Sequence, residues 1–107
     1  MEIIEWIKNW VRDNNADERS IRGFWNYFNS YREEYPDIFN TDFPDYQSEY
    51  IETFIDKVSF SITNWPLEDY NHIVFDIRIH YKDRYIATYK IVYNLDGSVE
   101  DDSLKFD

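Results

Sequence analysis

Residues 72–93 read HIVFDIRIHYKDRYIATYKIVY. Ile73, Phe75, Ile77, Ile79 and Tyr81 fall on odd positions, and after Lys-Asp-Arg so do Tyr85, Ala87, Tyr89, Ile91 and Tyr93. Side chains alternate across a strand, so each run offers one apolar face, and two such runs around a short charged break predict a β-hairpin. A slip of one residue would turn one apolar set outward, so burial selects the register. A three-residue loop of Lys82, Asp83 and Arg84 sets Tyr81 opposite Tyr85. The other face then pairs Asp76 with Lys90 and Val74 with Val92, a charge pair and an apolar pair that both favour the sheet. Val74, Ile86, Val92 and Val99 are expected on that second face, a strip through which two copies could meet as a homodimer.

The hairpin extends in both directions. Downstream, Asp96-Gly97 is the signal of a two-residue turn needing positive φ at both positions. It would pair Leu95 with Ser98, Tyr93 with Glu100, Ile91 with Asp102, Tyr89 with Leu104 and Ala87 with Phe106, placing Glu100 and Asp102 on the core face. Upstream, Val58, Phe60 and Ile62 alternate and predict a strand from Lys57 to Asn64. Tyr50, Ile51, Phe54, Ile55 and Val58 also fit a short helix, so residues 50–56 read both ways. Residues 36–49, PDIFNTDFPDYQSE, carry two prolines and four acids and read as a loop.

Two helices precede it. Ile3, Trp6, Ile7, Trp10 and Val11 share one helical face, predicting a helix over 2–13. Asp17 offers an N-cap for a second, whose stripe is Ile21, Phe24, Trp25, Phe28, Tyr31 and Tyr35, ended by Pro36. The prediction is a single α+β domain over 1–107: two N-terminal helices, with a third short one as an option, packed on a four-stranded antiparallel meander. This element order resembles the cystatin-like and nuclear-transport-factor-2-like superfolds, which host unrelated functions.

Composition excludes several classes. The 107 residues include 21% aromatics and 43% hydrophobics, enough for a core and far from a disordered composition. There is no cysteine, which removes disulfides, thiolate nucleophiles and cysteine metal sites. The N-terminus lacks a basic region followed by an unbroken apolar run, and no stretch reaches the ~18 apolar residues of a membrane span. A soluble, cytoplasmic protein with no membrane partner is expected. The net charge of -11 repels nucleic acid and favours basic partners. Residues 36–69 hold eight acids against Lys57 alone, and residues 95–107 hold five against Lys105.

Specific chemistry finds little support. Placing Gly97 at the sixth position of an EF-hand puts Val92 first and Ser103 twelfth, and neither can serve. His72 and His80 lie eight apart on one strand, ~26 Å at ~3.3 Å per residue, too far to share a metal. No nucleophile elbow organises a triad, and two glycines cannot build a phosphate-cradling loop. No metal, cofactor or catalytic residue is expected. One enzyme alternative places Glu100, Asp102 and Tyr93 in a sheet-lined cavity suited to proton abstraction or small-ligand binding.

Acid interleaved with aromatic residues remains. The ending YKIVYNLDGSVEDD, in a small, acidic, cysteine-free α+β chain, resembles bacterial toxin-immunity proteins. That resemblance implies an inhibitor that covers the active site of a basic partner, such as a nuclease toxin. Independently, an acidic protein competes well for a surface evolved to hold a polyanion. The expected partner-binding residues are Asp37, Asp42, Asp45, Tyr46, Glu49, Glu52, Glu68, Asp69, Glu100, Asp101 and Asp102. A nucleic-acid mimic of anti-restriction or anti-CRISPR type is the nearest alternative, and direct nucleic-acid binding is not expected.

Overall fold

The computed structural model describes residues 2–67 and 69–107. Three helices, α1 (Glu2–Asp13), α2 (Ala16–Glu34) and α3 (Pro36–Asp42), precede four strands, β1 (Ile51–Ile62), β2 (Asn71–Tyr81), β3 (Arg84–Asn94) and β4 (Val99–Phe106). The strands form one antiparallel sheet in the order β1-β2-β3-β4. The α+β meander is therefore as the patterning predicts.

The predicted β2–β3 register holds along most of its length: Asp76 faces Lys90, Val74 faces Val92 and Ile79 faces Ala87. Its turn does not. Lys82 and Asp83 alone form the loop, both at positive φ (50° and 66°), and Tyr81 faces Arg84. A register shift after Ile79 leaves Ile86 unpaired. The tight turn matches the right-handed twist of the strands, and the bulge restores the apolar alignment beyond it.

The β3–β4 connection differs in the opposite sense. Asn94 accepts from the Gly97 N–H (2.9 Å) and donates its own N–H to Ser98 (2.8 Å), so Leu95, Asp96 and Gly97 make a three-residue loop. Only Gly97 takes positive φ, at 93°. A bulge then shifts the ladder, pairing Tyr93 with Val99 and leaving Glu100 unpaired. The predicted Tyr93–Glu100 pair is thus absent, while Ile91–Asp102, Tyr89–Leu104 and Ala87–Phe106 stand. Val99 consequently lines the helix side of the sheet with Tyr93, not the opposite face.

Three further readings are resolved. Residues 36–49 are not all loop: Pro36 ends α2 and also opens α3 at its first turn, where its missing N–H costs nothing. Residues 51–62 are one long strand with a register shift at Asp56, so no helix begins there. The α1–α2 turn is made by Asn15 at φ 52°, a conformation asparagine tolerates, and Asp17 lies inside α2 as a first-turn acid.

The helices cover one face. Trp10, Phe24, Phe28, Phe39 and Phe43 pack against Ile73, Phe75, Ile77, Ile79 and Tyr81 of β2 and Ala87, Tyr89, Ile91 and Tyr93 of β3, all buried in one cluster. The opposite face, with Arg78 and Lys90, is open.

Candidate functional site

The molecule measures 46 × 25 × 21 Å, and the described acids expected to bind a partner lie towards the two ends of the sheet. One end holds α3, the 43–50 connection and the start of β1. Here the aromatic residues between the acids point inward. Phe39 and Phe43 are buried, stacked on each other at 4.8 Å, and each lies 5.4 Å from Phe28. Phe43 meets Tyr81 edge-on at 5.0 Å, and the Tyr81 hydroxyl donates to the Pro44 carbonyl at 3.3 Å. These rings fasten α3 to the end of β2.

Tyr46, one of the residues expected to meet a partner, is half-buried. It packs on Phe39 at 5.0 Å, with the Arg32 guanidinium 5.0 Å over its ring. Burial raises its phenol above the ordinary 10.0, with Arg32 acting in the other direction. By contrast, Asp37, Asp42, Asp45, Glu49 and Glu52 are all exposed. Among the described residues none of these five lies within ion-pair distance of a lysine or arginine. Asp42 instead faces the Tyr31 hydroxyl and, after burial, is the next cause of that phenol's raised pKa.

Of the other predicted acids, the described ones lie at the far end. Asp69 is exposed in the β1–β2 connection, and Glu68 lies outside the described residues. Glu100, Asp101 and Asp102 diverge because of the bulge. Glu100 accepts from the Asn94 side-chain amide (3.1 Å), Asp101 stands exposed opposite Val92, and Asp102 turns to the helix side. Asp96 accepts from the Ser98 N–H (2.9 Å) and hydroxyl (2.6 Å), which hold its carboxyl below the ordinary range. The two acidic ends are separated by the length of β3, about 33 Å for eleven residues at ~3.3 Å per step. A single interface of ordinary size, ~800 Å² per partner, favours one end.

Between α2 and β4 runs an open groove of about 720 Å³, lined by Arg19, Tyr27, Tyr31, Tyr89, Tyr93 and Asp102 among others. The Tyr89 hydroxyl donates to Asp102 at 2.7 Å. Tyr93 shares a 2.8 Å hydrogen bond with Ser20. Burial foremost, then Asp102, pushes the Tyr89 phenol far above its ordinary value, and burial also raises Tyr93. Both phenols are therefore neutral donors at ordinary pH and poor bases. Glu100, which the sequence placed beside Tyr93, is exposed and tied to Asn94. Among the described residues no three metal-ligating side chains converge.

The open sheet face carries a feature missed in the sequence. Lys57, Arg78, Lys90 and Lys105 all occupy this face, with Asp76 held between Lys57 (3.6 Å) and Lys90 (3.8 Å). Residues distant in the chain supply it, so no run of basic residues announces it. Alternation along each strand was the available signal.

No family model, no curated protein and no solved structure matches this chain. Among the described residues, no helix is long and apolar enough to cross a membrane.

Proposed function

We propose that this chain is a non-catalytic inhibitor of immunity type, which captures a basic protein partner such as a nuclease toxin and covers its active site. The supporting observation is the acidic end: Asp37, Asp42, Asp45, Glu49 and Glu52 are exposed and, among the described residues, have no Lys or Arg within ion-pair distance, on a segment fastened by buried aromatic rings. Unpaired carboxylates speed the encounter with a basic surface, and a fixed backbone limits the ordering cost of binding. The distant acids at Asp69 and Glu100–Asp102 contribute to long-range attraction more than to contact.

Affinity capture from host lysate with the wild-type chain and with a D42N/D45N/E49Q variant tests this. The wild type should retain a basic protein at low salt, lose it at high salt, and suppress its enzymatic activity. The amide variant should retain at least tenfold less, since each lost charge pair at an interface costs on the order of 1 kcal/mol or more. Equal retention by both proteins would overturn the assignment to this end.

A second reading rests on the tyrosine-lined groove, whose size suits a small organic ligand. It predicts a co-purifying small molecule and a thermal shift on ligand addition that Tyr27→Ala abolishes while D42N/D45N/E49Q leaves it intact.

A further inference from the structure

The two edges of the sheet are not equivalent. β4 carries Glu100, Asp101 and Asp102 in succession, so two copies meeting there would oppose like charges. β1 carries no such run. It is twelve residues long, stands at the other edge, and leaves Phe54, Ile55 and Ile62 exposed by 47%, 40% and 45%.

The β1 sequence IETFIDKVSFSI is complementary to itself about the point between Asp56 and Lys57. An antiparallel pairing with a second copy, centred there, sets Asp56 against Lys57 of the other chain and the reverse. It also sets Ile55 against Val58, Thr53 against Phe60 and Ile51 against Ile62. The bulge makes this possible. Before Asp56 the odd residues Ile51, Thr53 and Ile55 share the face of Tyr81, Ile79 and Ile77; after it the even residues Val58, Phe60 and Ile62 share the face of Phe75, Ile73 and the helices. Directly opposed residues in an antiparallel pair lie on one face. An odd residue must therefore oppose an even one, and the register centred between 56 and 57 does this at every position.

A bulge and a lysine are also devices that keep edges apart. Here the lysine has its counter-charge in the adjacent position of the same strand. Asp76, its internal partner, is shared with Lys90 and stays compensated when Lys57 turns outward. Beside the edge, an apolar groove of about 400 Å³ opens between α1 and β1, walled by Ile4, Ile7, Val11 and Val58. The proposed register brings Ile55 of the second copy alongside Val58 and closes that groove.

We propose that the covering partner of β1 is a second copy of this chain, giving a two-fold dimer with one continuous sheet across the β1–β1 seam. Two chains of net charge -11 repel each other, so added salt strengthens this association. That is the opposite of the salt response expected for capture of a basic partner.

Sedimentation equilibrium on the full chain, across salt and concentration, tests the proposal. The wild type should dimerise, more tightly at higher salt. D56K should weaken the dimer about tenfold by setting like charges opposite each other at both central pairs. K57D should do the same, and an equimolar mixture of the two variants should restore a one-to-one dimer. Ile55→Lys should leave a monomer with an unchanged far-ultraviolet spectrum. A wild-type monomer under all conditions would overturn the proposal, as would a dimer indifferent to D56K and Ile55→Lys.

Discussion

Gly23 and Tyr89 show how one small residue sets the groove. A Cβ at Gly23 would sit 2.8 Å from the Tyr89 hydroxyl and 3.3 Å from Ile91. Within a helix alanine is otherwise favoured over glycine by ~1 kcal/mol. Gly23→Ala should therefore destabilise the wild type by displacing the hydroxyl from Asp102. In a Tyr89→Phe background the hydroxyl is gone and only the Ile91 terminal methyl, at the flexible end of its side chain, must give way, so the same change should stabilise instead. Tyr89→Phe alone should cost ~1–2 kcal/mol for the lost hydrogen bond, and urea unfolding of the four proteins should give a coupling of ~1 kcal/mol or more. The same phenols predict a pH response. Tyr31, Tyr46, Tyr89 and Tyr93 all have folded pKa values raised above 10.0, chiefly by burial. Below pH 10 both folded and unfolded chains keep these protons, and stability is insensitive to them. Above it the unfolded chain releases them first, so stability falls as pH rises. Urea midpoints should drop from pH 10 upward, with phenolate absorbance appearing together with unfolding.

At the scale of elements, α3 is a short helix held by its rings. Phe39→Ala should cost ~3–5 kcal/mol through loss of contacts with Phe28, Phe43 and Tyr46. That is a large share of the ~5–15 kcal/mol typical of a small domain, so the thermal midpoint should fall steeply. Gly97→Ala should also destabilise, by more than 1 kcal/mol, because φ is 93° and the added Cβ collides with the Asn14 side chain. The hairpin of β2 and β3 was legible from the sequence because both of its faces constrain one register. β1 was not, since the bulge at Asp56 moves the inward set from odd to even residues. Ile51, Ile55 and Val58 then fall at the spacing of a helix although they lie on a strand. The same physics hid the fate of Glu100: an unpaired bulge residue leaves no trace in composition, yet it turned Val99 to the helix side and Glu100 to solvent. Around α3 only Phe39 and, just past its end, Phe43 mark the helical period, too few to compete with two prolines. Of the site, the exposed acids could be read as charge, while the inward turn of Tyr46 depended on contacts with Arg32 and Tyr81 that no local pattern encodes.

For the whole molecule, the distribution of charge decides what can approach. The helices and the two ends carry most of the acid, whereas Lys57, Arg78, Lys90 and Lys105 stand on the open sheet face. On the proposed reading, a basic protein would be drawn by the total of -11 and its footprint set by where carboxylates lack Lys or Arg partners and the backbone is fixed. Both conditions meet around α3 and the start of β1. Hydrogen exchange of the chain, alone and with any basic protein recovered by the proposed capture, tests that reading most directly. New amide protection confined to residues 36–52, with residues 19–35 and 89–102 unchanged, is the predicted footprint. Protection along the groove of α2 and β4, with 36–52 unaffected, would contradict it.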